Sequence, residues 1–157
     1  MTLRSAARRE LGKEAMIRIA SIGECMIELR HRSASALDLA HGGDTLNTAV
    51  YLARLTKERD VRVDYVTALG DDAYSDGMLA MWRHEDIGTE LVARLPGRLP
   101  GLYTIRTDAR GERSFTYWRS ASAARTVFLP AATVMPDGLA GFDRAELSGV
   151  PVEVLDP

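Results

Sequence analysis

The segment His41-Gly42-Gly43-Asp44-Thr45-Leu46-Asn47 sets two glycines immediately before a run with helical spacing. Lacking a Cβ, glycines let a ligand approach the backbone closely. Asp44 can accept hydrogen bonds from hydroxyl groups, and the Asn47 amide can both donate and accept them. A polyol suits such a pair better than an apolar ligand. The same residues also satisfy a simpler reading, in which Asp44 only caps its helix and the glycines only make a turn.

Other reactive side chains offer less. His31, His41 and His84 lack metal-ligand spacing, and the single cysteine, Cys25, leaves no zinc set. Asp71, Asp72 and Asp76 read as an acidic turn that caps a helix rather than a cation site. Cys25 reads as inert packing in an apolar strand, and Met78, Met81 and Trp82 as a core stripe. The chain has 157 residues, is 46% hydrophobic and 27% charged, and carries a net charge of −2. That is the make-up of one globular domain with no basic surplus for nucleic acid or an anionic membrane, so the expected partner is a small molecule or another protein. One cysteine rules out an intrachain disulfide framework. With no apolar run near the roughly 20 residues of a membrane span and no apolar signal core, the expected location is cytoplasmic.

The elements that must position these residues alternate between strand and helix. Residues 1–15 carry four basic side chains among alanines without an apolar stripe, and read as a frayed extension; the folded domain is expected over residues 16–157. Ile17–Ile22 reads as an apolar strand, and Met26–Leu29 and Leu37–Leu39 as two short strands around a polar turn. Leu46, Ala49, Val50 and Ala53 form a buried helical face, with Asp44 or Thr45 as its cap. Val61–Leu69 is a second core strand. A helix over Gly77–Glu85 and a strand near Glu90–Leu95 follow. Leu102–Thr107 and Arg113–Trp118 flank Gly111 as a hairpin, which can join the two earlier short strands in an accessory sheet. Leu139–Phe142 reads as a helix end and Leu147–Leu155 as a last strand.

The stretch from Gly42 to Leu55 resembles the N-terminal signature of the ribokinase (PfkB) carbohydrate kinase family, and Ala68-Leu69-Gly70-Asp71-Asp72 with Gly77 is similar to its next block. Gly101-Leu102-Tyr103 and Gly111 to Arg119 resemble one branch, the 2-keto-3-deoxygluconate kinases. The resemblance runs from about Met16 to Arg125. It implies an α/β, ribokinase-like fold: a partial central sheet with helices plus a small β lid, the C-terminal half absent. It also implies phosphorylation of a sugar acid at its 6-position, with ATP and Mg2+ as cofactors. By that resemblance Gly42, Gly43, Asp44 and Asn47 grip substrate hydroxyls, Tyr103 and Tyr117 contact the sugar acid from the lid, and Arg119 pairs with its carboxylate. A guanidinium is suited to that role because it binds a carboxylate through two parallel charge-assisted hydrogen bonds. The Tyr-x-Arg spacing puts Tyr117 and Arg119 on one face of a strand.

In that family the catalytic aspartate and the nucleotide site come from a Gly-Ala-Gly-Asp motif in the C-terminal half. This sequence contains neither that motif nor a Walker-type Gly-Lys-Ser/Thr loop. The expectation is therefore the N-terminal half of a sugar-acid kinase, inactive alone, with its catalytic and nucleotide-binding residues elsewhere. Two alternatives stand beside it. One is a different kinase of the family, for fructose or ribose; the other is a non-catalytic half-domain that binds a sugar acid or self-associates through its lid strands.

Overall fold

The computed structural model describes residues 16–127, 139 and 141–147, so the expected extension at 1–15 and residues 148–157 lie outside the described residues. Among the described residues eight strands form two sheets. The first runs in the order β5-β4-β1-β8, from β1 (Ile17–Ile22), β4 (Val61–Leu69), β5 (Val92–Arg94) and β8 (Arg144–Leu147). All its pairings are parallel, as βαβ crossovers require. The second, smaller sheet runs β3-β2-β6-β7, from β2 (Met26–His31), β3 (Leu37–Gly42), β6 (Gly101–Thr107) and β7 (Arg113–Trp118). Here β2 pairs antiparallel with β3 and parallel with β6, and β6 and β7 form an antiparallel hairpin. The accessory sheet of four strands expected from the sequence is present.

Two helices cover the first sheet: α1 (Asp44–Leu55) and α2 (Ala73–His84). The main core joins Leu46 and Ala49 of α1, Val63, Tyr65 and Leu69 of β4, and Met78, Leu79 and Trp82 of α2. Tyr65 and Trp82 meet edge to face, with ring centroids 4.9 Å apart. Ile27 of the small sheet enters the same core, with Leu29 and Leu102 packed against it. Strand alternation sends their neighbours Met26 and Tyr103 to the opposite face, where they pack with Ile105. The small sheet is therefore anchored by one face, and the other face carries the tyrosines.

Several boundaries differ from the sequence reading. β2 and β3 are longer than expected, because their register continues from Met26 opposite Gly42 to His31 opposite Leu37. Cys25 lies in the connection between β1 and β2 rather than in a strand, although it is buried and burial pushes its thiol far above the usual range. β8 occupies Arg144–Leu147, and the strand expected over Leu147–Leu155 lies, but for Leu147, outside the described residues. Neither Asp44 nor Thr45 caps α1. Gly43 holds the cap position with no side-chain bond, and the Thr45 hydroxyl instead pairs at 2.9 Å with the buried Tyr65 hydroxyl.

α2 begins at Ala73, before the expected Gly77, because Asp72 caps it. Its carboxylate accepts from the Tyr74 and Ser75 backbone N–H groups and from the Ser75 hydroxyl. Burial alone would raise the Asp72 pKa, but these hydrogen bonds outweigh it and hold the group below the usual carboxylate range. A depressed pKa contributes stability above the unfolded value, lost as pH falls through the folded one. Asp72→Ala is thus expected to cost about 1–2 kcal/mol at neutral pH. Urea titrations should show the gap to the parent narrowing below about pH 4; a gap constant down to pH 2 would contradict the capping role.

Candidate functional site

Gly42 closes β3 and Gly43 opens α1, so the small sheet delivers its edge strand straight into the first helical turn. Both positions demand glycine for close approach. A Cβ on Gly42 would collide with the Tyr103 hydroxyl, and one on Gly43 with the backbone carbonyl of Glu24. Asp44 and Asn47, three residues apart on the first turn, are exposed, and neither side chain is hydrogen-bonded to another described residue. Since Asp44 is not used as a cap, its carboxylate stands open to hydroxyl donors. His41 beside it is half-buried, and burial lowers its pKa.

Across the small sheet, Ala40, Glu28, Tyr103 and Tyr117 occupy one row of paired positions. Side chains in such a row share a face. The Tyr103 hydroxyl donates to the Glu28 carboxylate, which also receives Arg30 at 2.6 Å. Burial, and then that bond to Glu28, push the Tyr103 phenol above its usual range, so it stays a neutral donor. Tyr117 packs 5.7 Å from the Tyr103 ring and is half exposed. Phe115 stacks on Tyr117 with their planes 14° apart. Gly42, Tyr103 and Tyr117 therefore share one surface, bordered by the open first turn of α1.

Arg119 follows the end of β7 rather than lying within it. Its Nη2 sits 2.6 Å from a Glu24 carboxylate oxygen, and the Glu24 side chain is 2% exposed. The two groups are close without the alignment of a hydrogen bond, so charge holds them. Tyr117 and Arg119 line a cleft of about 840 Å³ with Arg98, Ser122 and Arg125, whereas Asp44, Asn47 and Tyr103 do not line it. The seven residues singled out from the sequence thus fall into two groups, joined through Tyr117.

Sequence reasoning missed Glu24 and Glu28. The signal was present: each is an acid within an otherwise apolar stretch from Ile22 to Leu29, where a charge is costly unless paired. Apart from Arg30, two residues from Glu28, their partners come from β6 and from just past β7, which no local pattern reveals.

A family model described as pfkB family carbohydrate kinase matches residues 16–134. The chain belongs to that family. Among its pfkB relatives, the 2-dehydro-3-deoxygluconokinase of Dickeya dadantii (strain 3937) is 50% identical over 139 residues, 88% of this chain and 44% of the relative. The protein of the same name from Escherichia coli K12 is 46% identical over 141 residues, 89% of this chain and 45% of the relative. The crystal structure of a Thermotoga maritima 2-dehydro-3-deoxygluconokinase matches with a TM-score of 0.62 at 23% identity, over 69% of this chain and 34% of that one. A Xylella fastidiosa fructokinase with bound ATP matches with a TM-score of 0.64 at 26% identity, over 77% and 35%. This pfkB chain spans under half the length of the curated relatives it matches.

Among the described residues no three His, Cys, Asp or Glu side chains are grouped as a metal site, and the sequence has no Walker-type phosphate loop. Nor is any helix among them long and apolar enough to cross a membrane.

Proposed function

We propose that this chain supplies the sugar-binding and lid part of a sugar-acid kinase that phosphorylates 2-keto-3-deoxygluconate, also called 2-dehydro-3-deoxygluconate, at its 6-position. One observation carries the reading. The Gly42–Asp44 turn packs against the Tyr103 hydroxyl while Asp44 and Asn47 remain exposed and without side-chain partners, so a turn with open polar groups borders the tyrosine face of the small sheet. Such a surface can hold a polyol by its hydroxyls and cover it with tyrosines. Phosphoryl transfer also needs a base and groups that stabilise the transferring phosphoryl. Those functions, with ATP and Mg2+, are assigned to parts of the complete protein beyond the described residues.

The test has two arms. Calorimetric titration of the chain should show saturable binding of 2-keto-3-deoxygluconate in preference to fructose and ribose. A fusion of the chain to the C-terminal part of the Dickeya dadantii relative should phosphorylate the sugar acid with ATP. A fusion that folds yet prefers fructose or ribose would sink the assignment and favour another kinase of the family. Asp44→Ala should weaken sugar-acid binding about tenfold or more, the worth of a charge-assisted hydrogen bond. It should lower the melting temperature by no more than a few degrees, since the side chain has no hydrogen-bond partner to lose and only its charge near the α1 N-terminus counts.

A further inference from the structure

Strand β1 sends Ala20 and Ile22 to the face of the first sheet that packs with Val66, and Ser21 between them to the face that carries α1. There Tyr65 of β4, Ser21 and Glu146 of β8 stand side by side in one row of paired positions. Ser21 is fully buried, so its hydroxyl must find partners within the protein. It has two. Its Oγ lies 2.9 Å from the Thr45 carbonyl oxygen, in the first turn of α1, and 2.7 Å from Oε2 of Glu146. Both partners are acceptors, and a serine hydroxyl carries one hydrogen. The carbonyl and the carboxylate therefore compete for it, and the charged acceptor attracts it more strongly. Thr45 is itself tightly placed: it is buried, its hydroxyl is bonded to that of Tyr65, and a Cβ on Gly23 would overlap it. The first turn is thus fastened to β4 by the Thr45 side chain and to β1 by the Thr45 carbonyl. Asp44 and Asn47, exposed on the same turn, have no side-chain fastening of their own.

We propose that Ser21 is a positioning residue for sugar binding. Through the Thr45 carbonyl it sets the first turn of α1, and with it the direction in which Asp44 and Asn47 meet the sugar hydroxyls. Glu146 governs the strength of that hold, because it draws the one hydroxyl hydrogen toward β8. The inference rests on the sugar-acid reading above, which places sugar hydroxyls at Asp44 and Asn47. Ser21 has no exposed surface and acts on a ligand only through the turn. A side chain at position 146 that donates to the Ser21 oxygen would leave the hydrogen to Thr45, so that the bonds run in one direction from β8 through β1 to α1. The arrangement thereby couples the sugar-binding turn to a strand 125 residues further along the chain.

The test is calorimetric titration with 2-keto-3-deoxygluconate of the chain, of Ser21→Ala, Glu146→Gln and Asp44→Ala, and of the Ser21→Ala/Asp44→Ala double variant. Circular dichroism checks that each is folded. Ser21→Ala should raise the Kd about fivefold, the worth of one hydrogen bond. In the Asp44→Ala background the same change should raise it by less than about twofold, because the group that Ser21 aims is gone. Glu146→Gln should lower the Kd about twofold, since the amide N–H donates to the Ser21 oxygen and returns the hydrogen to Thr45. Loss of packing alone would weaken binding equally in both backgrounds and would not make Glu146→Gln bind more tightly. Three results overturn the inference while leaving the sugar-acid reading intact: Ser21→Ala binding like the parent, an equal loss with and without Asp44, or Glu146→Gln binding no more tightly than the parent. If Ser21→Ala does not fold, Glu146→Gln decides by itself. A parent chain without saturable binding overturns the inference too, and the fusion assay then decides the sugar-acid reading separately.

Discussion

Arg119→Ala is expected to lower the unfolding free energy by about 3 kcal/mol, because it leaves a buried carboxylate without its cation. The Glu24 side chain is 2% exposed and neither of its oxygens has an aligned hydrogen-bond partner, so the Arg119 guanidinium at 2.6 Å is its main compensation. Removing one member of such a pair costs more than removing both, since the remaining charge cannot reach water. A Glu24→Gln/Arg119→Ala double variant should therefore recover most of the loss. Urea denaturation of the parent, both single variants and the double variant provides the cycle. Independent, additive effects of the two single changes would show that the contact contributes nothing to the fold. The result also bears on function, since the pair ties the β1–β2 connection to the end of β7 and so sets where the small sheet sits relative to the first turn of α1.

Trp82→Ala is expected to be more damaging, at about 3–5 kcal/mol. Trp82 is fully buried on α2 and packs edge to face on Tyr65 of β4. Alanine would leave a cavity between helix and sheet that neither can collapse to fill. The effect should spread toward the site, because the Tyr65 hydroxyl is bonded to Thr45 in the first turn of α1. Trp82→Phe separates volume from chemistry. The indole N–H has no partner, so phenylalanine removes an unsatisfied donor while keeping most of the ring. It should cost under about 1.5 kcal/mol. Thermal and urea unfolding give both numbers, and a phenylalanine variant as unstable as the alanine one would mean that the ring is not what holds α2 to the sheet.

Strands β1 and β4, helix α1 and the hairpin of β6 and β7 were legible in the amino-acid order, because alternation and helical spacing are local patterns written within a few residues. The glycines at 42 and 43, the exposed acid and amide that follow, and the Tyr-x-Arg at the end of the hairpin could be picked out for the same reason. Family membership was legible too, since it rests on contiguous blocks. The cap of α1 was not. Asp44 and Thr45 are both good capping types, yet the cap position falls on Gly43, and Thr45 turns inward to Tyr65 of β4. Nor could the order reveal that Glu28 receives the Tyr103 hydroxyl, which needs β2 to pair with β6, or that Glu24 occupies Arg119, which needs the β1–β2 connection to meet the end of β7. The same holds for the cleft, which Arg98 and Arg125 both line because Leu99 and Ala123 share a hydrogen bond. Local sequence decides which side chains can do chemistry, since type and period are local. Their partners, and hence which charges are spent and which stay open to a ligand, belong to the tertiary structure, because long-range packing alone sets the distances on which electrostatics depends.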